Sequence, residues 1–220
     1  MNASAAAASS RSRSARWILL AVAVALLALL LPAAAEAKKR PGCKPKGSRT
    51  VEANKAIRVY RISRDTGDAK VTRIYACRLK TRRRTRMSSL SDDSTYATGT
   101  LAYRIQLRGR FVAYGLTYVD DARAKFAPQE PGPPDKVVRI DITRRQARKT
   151  LAETANLSDL ALTGRGAVAW IVPNAVALAD AAGTRTLAAG TDIAPGSLAV
   201  SSSFVYWMQA GSAFARKLTY

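Results

Sequence analysis

Apolar and polar positions alternate in short runs along most of this chain, and four of those runs share a valine with an aromatic beside it. Val168-Ala169-Trp170 and Val205-Tyr206-Trp207 carry the pattern most fully, Val112-Ala113-Tyr114 repeats it, and Val59-Tyr60-Arg61 is a weaker copy. A second alternating run precedes three of them: Ile105-Gln106-Leu107, Leu160-Ala161-Leu162 and Leu198-Ala199-Val200. From valine to valine the intervals are 53, 56 and 37 residues, and the middle one contains a Pro-rich insertion at 120–135. Without those 16 residues it shortens to 40, close to the last interval. Period-two alternation is the signature of a strand lying on a core. A recurring unit of this length built from short strands predicts stacked β-sheets.

Turn residues divide the chain at matching spacing. Asp65-Thr66-Gly67-Asp68 separates a strand at Ile57–Ile62 from another at Val71–Leu79. Lys80 to Arg86 reads as a basic turn or a short outer strand, and Ser88–Thr95 as a polar loop. Leu101–Leu107 and Phe111–Val119 make a hairpin with the tip Arg108-Gly109-Arg110. Pro128, Pro131, Pro133 and Pro134 keep the 120–135 segment out of any central strand and predict a long exposed loop. Strands resume at Val137–Ile142, and Arg144–Leu151 is an outer strand or a helical turn. Asp159–Leu162 and Ala167–Val172, joined at Gly164-Arg165-Gly166, form the clearest hairpin. Val176–Asp180 and Arg185–Leu187 complete that unit, and Ser197–Val200, Phe204–Gln209 and Ala213–Leu218 make the last. The alanine-rich piece 175–179 reads as strand because Asn174, Gly183 and Gly190 punctuate it at strand spacing.

On these residues the repeat resembles the blades of loosely conserved β-propellers over residues 51–220, without a Trp-Asp or kelch signature. The resemblance implies an inner strand, a Val-x-aromatic strand, a third strand, a turn and an outer strand in each unit. The matching turns are Thr81-Arg82-Arg83, Thr143-Arg144-Arg145 and Gly183-Thr184-Arg185. The expected architecture is all-β, a propeller-like stack of about four small antiparallel sheets, with a curved open β stack or a β-sandwich as the alternative. The last unit lacks an outer strand. If the strand near Val51 or Ile57 supplies it, the ring closes and exposed edges disappear.

The N-terminus changes the picture of where this domain works. Arg11, Arg13 and Arg16 precede an unbroken apolar run of 15 residues from Trp17 to Leu31, which Pro32 ends. Ala33-Ala34-Ala35 and Ala35-Glu36-Ala37 offer small-x-small cleavage sites, so residues 1–37 read as a secretory signal peptide. The alternative is an uncleaved membrane anchor, although the run is short against the ~20 residues needed to span a bilayer. Residues 38–50 are a basic Pro/Gly-rich arm, and 51–220 the β-repeat domain. In an exported chain the two cysteines, Cys43 and Cys77, are expected to form a disulfide.

Charge is uneven. Residues 38–149 hold 29 basic and 10 acidic residues, whereas residues 150–220 hold four of each. A basic half next to a neutral one attracts anionic membrane surface, acidic envelope polymer or nucleic acid. The basic cluster Arg82, Arg83, Arg84 and Arg86, together with Arg108 and Arg110, is the candidate anion-binding set, able to hold phosphates or carboxylates by charge-assisted hydrogen bonds. Nucleic acid is the weaker partner, because the nearby tyrosines Tyr75, Tyr103 and Tyr114 are claimed by strands and the chain reads as exported.

Catalytic motifs are absent. With no histidine the usual general base is missing, and a zinc site of ordinary composition is close to excluded. No nucleophile elbow or phosphate-binding glycine loop occurs. Asp92-Asp93 and Asp120-Asp121 lack the spaced ligands and turn glycine of a dedicated calcium loop. Tyr114, Trp170 and Trp207, at equivalent repeat positions, are expected to pack between units. No catalytic, metal or cofactor residue is therefore assigned. The sequence reads as a secreted, non-enzymatic binding or scaffold protein held to anionic envelope material by its basic N-terminal part. The alternative is a carboxylate-dependent hydrolase with its site at the mouth of the β repeats. A protein partner is not specified.

Overall fold

A computed structural model describes residues 42–93, 95–126, 132–144 and 148–220. The signal-peptide or anchor segment and the start of the basic arm lie outside the described residues, as do 127–131 of the Pro-rich segment and 145–147.

The chain is all-β, with several antiparallel sheets. Among the described residues, fifteen strands form one sheet of eight (β1–β8), one of four (β9–β12) and one of three (β13–β15). Every strand pairs with its neighbour in sequence, apart from the breaks between sheets. The first sheet comprises β1 Arg49–Ala53, β2 Ile57–Asp65, β3 Lys70–Arg78, β4 Arg83–Asp92, β5 Ala97–Arg108, β6 Phe111–Asp120, β7 Asp135–Asp141 and β8 Arg148–Thr154. The second has β9 Asp159–Leu162, β10 Val168–Val172, β11 Ala175–Asp180 and β12 Gly183–Ala189. The third has β13 Ala199–Val200, β14 Phe204–Gln209 and β15 Ser212–Lys217. A six-residue helix, α1 Asp121–Phe126, opens the Pro-rich segment.

The eight-stranded sheet folds back on itself. β4 and β5 pair only between Ser89–Asp92 and Ala97–Thr100. Past that joint they diverge, and side chains of β2, β3 and β4 meet those of β5, β6 and β7 in one core. Gly99 makes the joint possible: its φ is +130°, and a Cβ there would stand 2.3 Å from the Ser89 carbonyl oxygen. Only a residue without a side chain tolerates both. The fold is thus four tiers: β1–β4, β5–β8, β9–β12 and β13–β15.

The Val-x-aromatic repeat lies on the second strand of each tier, and the register shows why it recurs. Val112 and Tyr114 face the first tier. Val168 and Trp170 face the second. Val205 and Trp207 face the third. The alternate residues of the same strands, Phe111 and Ala113, then Ala169 and Ile171, face the tier that follows. Each strand therefore serves two cores, as period-two alternation between two packed sheets requires. Tyr114, Trp170 and Trp207 are all buried. Tier contacts are tight at Gly115, where a Cβ would come within 2.7 Å of both Leu157 and the Tyr103 ring.

Three expectations are corrected. The polar run Ser88–Thr95 is not a loop throughout, because β4 continues to Asp92. Serine and aspartate are tolerated there because its pairing with β3 and β5 decides its conformation rather than propensity. The first two repeats belong to one hydrogen-bonded sheet rather than two, through the β4–β5 joint. The strand near Val51 and Ile57 does not complete the last tier. β1 pairs with β2, and β2 with β3, so the N-terminal strand stays in the first tier. Among the described residues the stack closes no ring and β15 is an edge.

Candidate basic face of the first tier

Two faces of the first tier differ in chemistry. The inner one carries Ile57, Val59, Ile74, Ala76 and Met87 into the core shared with the second tier. The outer one is set by cross-strand pairs: Arg58 with Cys77, Tyr60 with Tyr75, Ile62 with Arg73, and Arg64 with Val71. On the next strand Cys77 pairs with Arg84, Tyr75 with Arg86, Arg73 with Ser89 and Val71 with Ser91. A bulge between Ile74 and Tyr75 holds this register, so that Met87 points inward while Arg84 and Arg86 point out. Across β2, β3 and β4 the outer face thus displays Arg58, Arg64, Arg73, Arg84 and Arg86, and no carboxylate.

Half of this face is sealed by the N-terminal arm. Cys43 is bonded to Cys77, with the Cα atoms 5.6 Å apart, and both cysteines pack with Tyr60 and Ile62. Cross-linking positions 34 residues apart stabilises by about 3–4 kcal/mol on the chain-entropy model. Arg58 is buried beneath the arm. It donates to the Cys43 carbonyl, to Ser48 Oγ at 3.2 Å and to Thr50 Oγ1 at 2.8 Å, with its guanidinium over the Tyr60 ring. Its charge is spent on holding the arm. The other half is open: Arg64, Arg84 and Arg86 are exposed, and Arg73 and Tyr75 are half-buried. Tyr75 stacks on Tyr60 at 5.5 Å, and the Arg84 guanidinium lies 5.3 Å from the centre of its ring. Arg64, Arg73 and Arg84 with Ile62, Val71 and Tyr75 line a depression of about 120 Å³.

A second hollow, of about 300 Å³, is lined by Gly47, Arg49, Arg61, Ser63, Lys70 and Thr72. Ser63 and Thr72 are joined hydroxyl to hydroxyl at 2.9 Å. Neither hollow has a carboxylate in its lining.

The candidate arginines fall into two groups. Arg82, with φ +54°, turns the chain between β3 and β4, and Arg83, Arg84 and Arg86 lie on β4. Arg108 and Arg110 flank Gly109 in the β5–β6 turn of the second tier. There Arg110 pairs with Asp141 at 3.4 Å and lies 4.9 Å from the Phe111 ring centre. Arg108 faces Glu52, whose carboxyl is raised by burial and only partly brought back by that arginine. Arg64 and Arg73, and Arg49, Arg61 and Lys70 of the second hollow, were not among the candidates. The period-two runs Arg58-x-Tyr60-x-Ile62-x-Arg64 and Arg73-x-Tyr75-x-Cys77 are the signal that finds the first two.

Three carboxylates, Asp141, Asp159 and Asp180, are engaged by partners within the stack. Asp141 also meets Arg144 at 3.3 Å and Thr143 Oγ1 at 2.6 Å. Asp159 accepts from the Leu198 amide, linking the third tier to the fourth. Asp180 holds Arg185 through both oxygens, at 2.6 and 2.8 Å, and accepts from the Ala182 and Thr219 amides. The Arg185 guanidinium holds the Asp180 carboxyl below the usual range. Among the described residues no three His, Cys, Asp or Glu side chains gather into a metal-binding group.

No family model matches the chain, and neither a curated protein nor a solved structure is significantly similar to it.

Proposed function

We propose that this is an exported, non-enzymatic binding or scaffold protein whose first tier holds anionic material of the cell envelope, a polymer or a membrane surface. The observation that carries the reading is the open half of the outer face, where Arg64, Arg73, Arg84 and Arg86 stand together without a carboxylate. Cations spread over a solvated surface are ordinarily interspersed with acids; a single-sign field on one rigid sheet concentrates anions instead. The disulfide supports an oxidising compartment, and the apolar segment 17–31 supports export through the membrane.

The test is salt-dependent retention on an immobilised anionic polymer, beside a variant with Arg82, Arg83, Arg84 and Arg86 changed to alanine. Retention falling steeply with log salt, with a shallower slope in the variant, upholds the reading, since the slope counts counterions released. Weak retention, or equal slopes, refutes it.

A further inference from the structure

Arg73 carries a buried, unpartnered donor on the basic face. It occupies the middle of β3, between Ile62 on β2 and Ser89 on β4, so its stem is flanked on both sides. Its Nε is out of contact with solvent and has no hydrogen-bond partner among the described residues. An N–H of a charged group left in that state destabilises the fold, and an acceptor brought by a ligand removes the penalty. Arg64 and Arg84 line the same depression, and Tyr75, Ile62 and Val71 form its apolar wall. The Tyr75 ring positions Arg84 by cation–π contact, and among the described residues no acid lines the depression to compete for that guanidinium.

We infer that this depression is a site for one phosphate group, bound by Arg64, Arg73 and Arg84. The inference deepens the proposed function and rests on it. The chemistry favours phosphate over carboxylate. A carboxylate accepts mainly in the single plane of its two oxygens, so three guanidinium forks approaching from different directions meet it poorly. A tetrahedral oxyanion presents further oxygens out of that plane and accepts from several forks at once. A volume of about 120 Å³ suits a single such group rather than a sugar or a nucleobase with its substituents. The apolar wall excludes water from one side and strengthens the charge pairing.

The experiment is titration of the purified protein with inorganic phosphate and, in parallel, with acetate, followed calorimetrically. Three variants accompany it: Arg73→Gln, Arg73→Lys and Arg86→Gln. Arg86 lies on the same face but does not line the depression. Phosphate is expected to bind at least ~10-fold tighter than acetate. Arg73→Gln is expected to weaken phosphate by ~10-fold or more, Arg73→Lys nearly as much because it keeps the charge but loses the fork, and Arg86→Gln by less than about 3-fold. A second arm replaces inorganic phosphate with phosphatidate vesicles and tells a lipid headgroup from a soluble phosphate. Binding that depends on Arg73 in either arm upholds the site. Equal losses in Arg73→Gln and Arg86→Gln overturn it, since they mean a diffuse field. No phosphate binding in either arm, with polymer retention still steep in salt, overturns the site and leaves the proposed function standing. Failure of both measurements removes both.

Discussion

The two ends of the stack make opposite use of the same strand pattern. At the first tier, the face with no neighbouring tier is covered by something else: the arm, the Cys43–Cys77 bond and a layer of arginine over tyrosine. At the last tier, the corresponding face of β14 is Phe204, Tyr206 and Met208, exposed at 38, 40 and 36 %. In the second and third tiers the residues at that phase of the repeat are buried against the next tier. A repeat fold needs a cap at each end, because each unit alone leaves an apolar face uncovered. Here the cap at the first end is built from charge and a cross-link. The binding proposed above is therefore assigned to that end, while the half of the chain with balanced charge builds the stack.

The largest effect should come from β14 itself. Trp207→Ala removes a buried indole that packs against the third tier and stacks on Phe214 at 5.8 Å. It should destabilise by about 3–5 kcal/mol in chemical denaturation. Breaking the cap at the first end, with Cys43 and Cys77 both changed to serine, should cost about 3–4 kcal/mol. It should also release the arm, seen as faster amide exchange at residues 42–50. If stability is unchanged, the arm is not the cap described above.

Asp180 ties the third tier to the segment after β15 and makes that end of the stack sensitive to pH. Its folded-state pKa lies below the ordinary 3.8, chiefly through the Arg185 hydrogen bond. The stability it contributes is complete above the unfolded-state value and is lost as pH falls through the folded one. Asp180→Asn should lower stability by about 1–2 kcal/mol at neutral pH, a modest figure because Arg185 is partly exposed. Its acid-unfolding profile below pH ~4 should be flatter than that of the parent. The smallest effect should be at the uncovered face. Phe204→Thr and Tyr206→Thr, three and one residues from Trp207, should change stability by no more than about 0.5 kcal/mol, because both side chains are exposed.

Much of this was legible in the sequence because alternation is a local signal. Val112-Ala113-Tyr114, Val168-Ala169-Trp170 and Val205-Tyr206-Trp207 mark the second strands of three tiers, and Val59-Tyr60 that of the first. The pairing of Cys43 with Cys77 followed from there being two cysteines. What was not legible depends on register and on contacts remote in sequence. Ser88–Asp92 has little strand propensity and is held by the pairing across Gly99. The first tier reads as a weak repeat because its aromatic, Tyr60, adjoins Val59, so the two side chains point to opposite faces. The charge run Arg82–Arg86 was visible as composition. That Arg64 and Arg73 join Arg84, and that Arg110 is instead paired with Asp141, depends on a bulge and a hairpin contact that no spacing rule encodes.

The most direct test of the division between the two ends is hydrogen–deuterium exchange with and without a soluble anionic polymer at low salt. The expected result is slowed exchange across β2, β3 and β4 of the first tier and no change at β13–β15. Slowing spread evenly over both ends, or strongest at residues 199–217, would contradict the assignment of binding to the basic face.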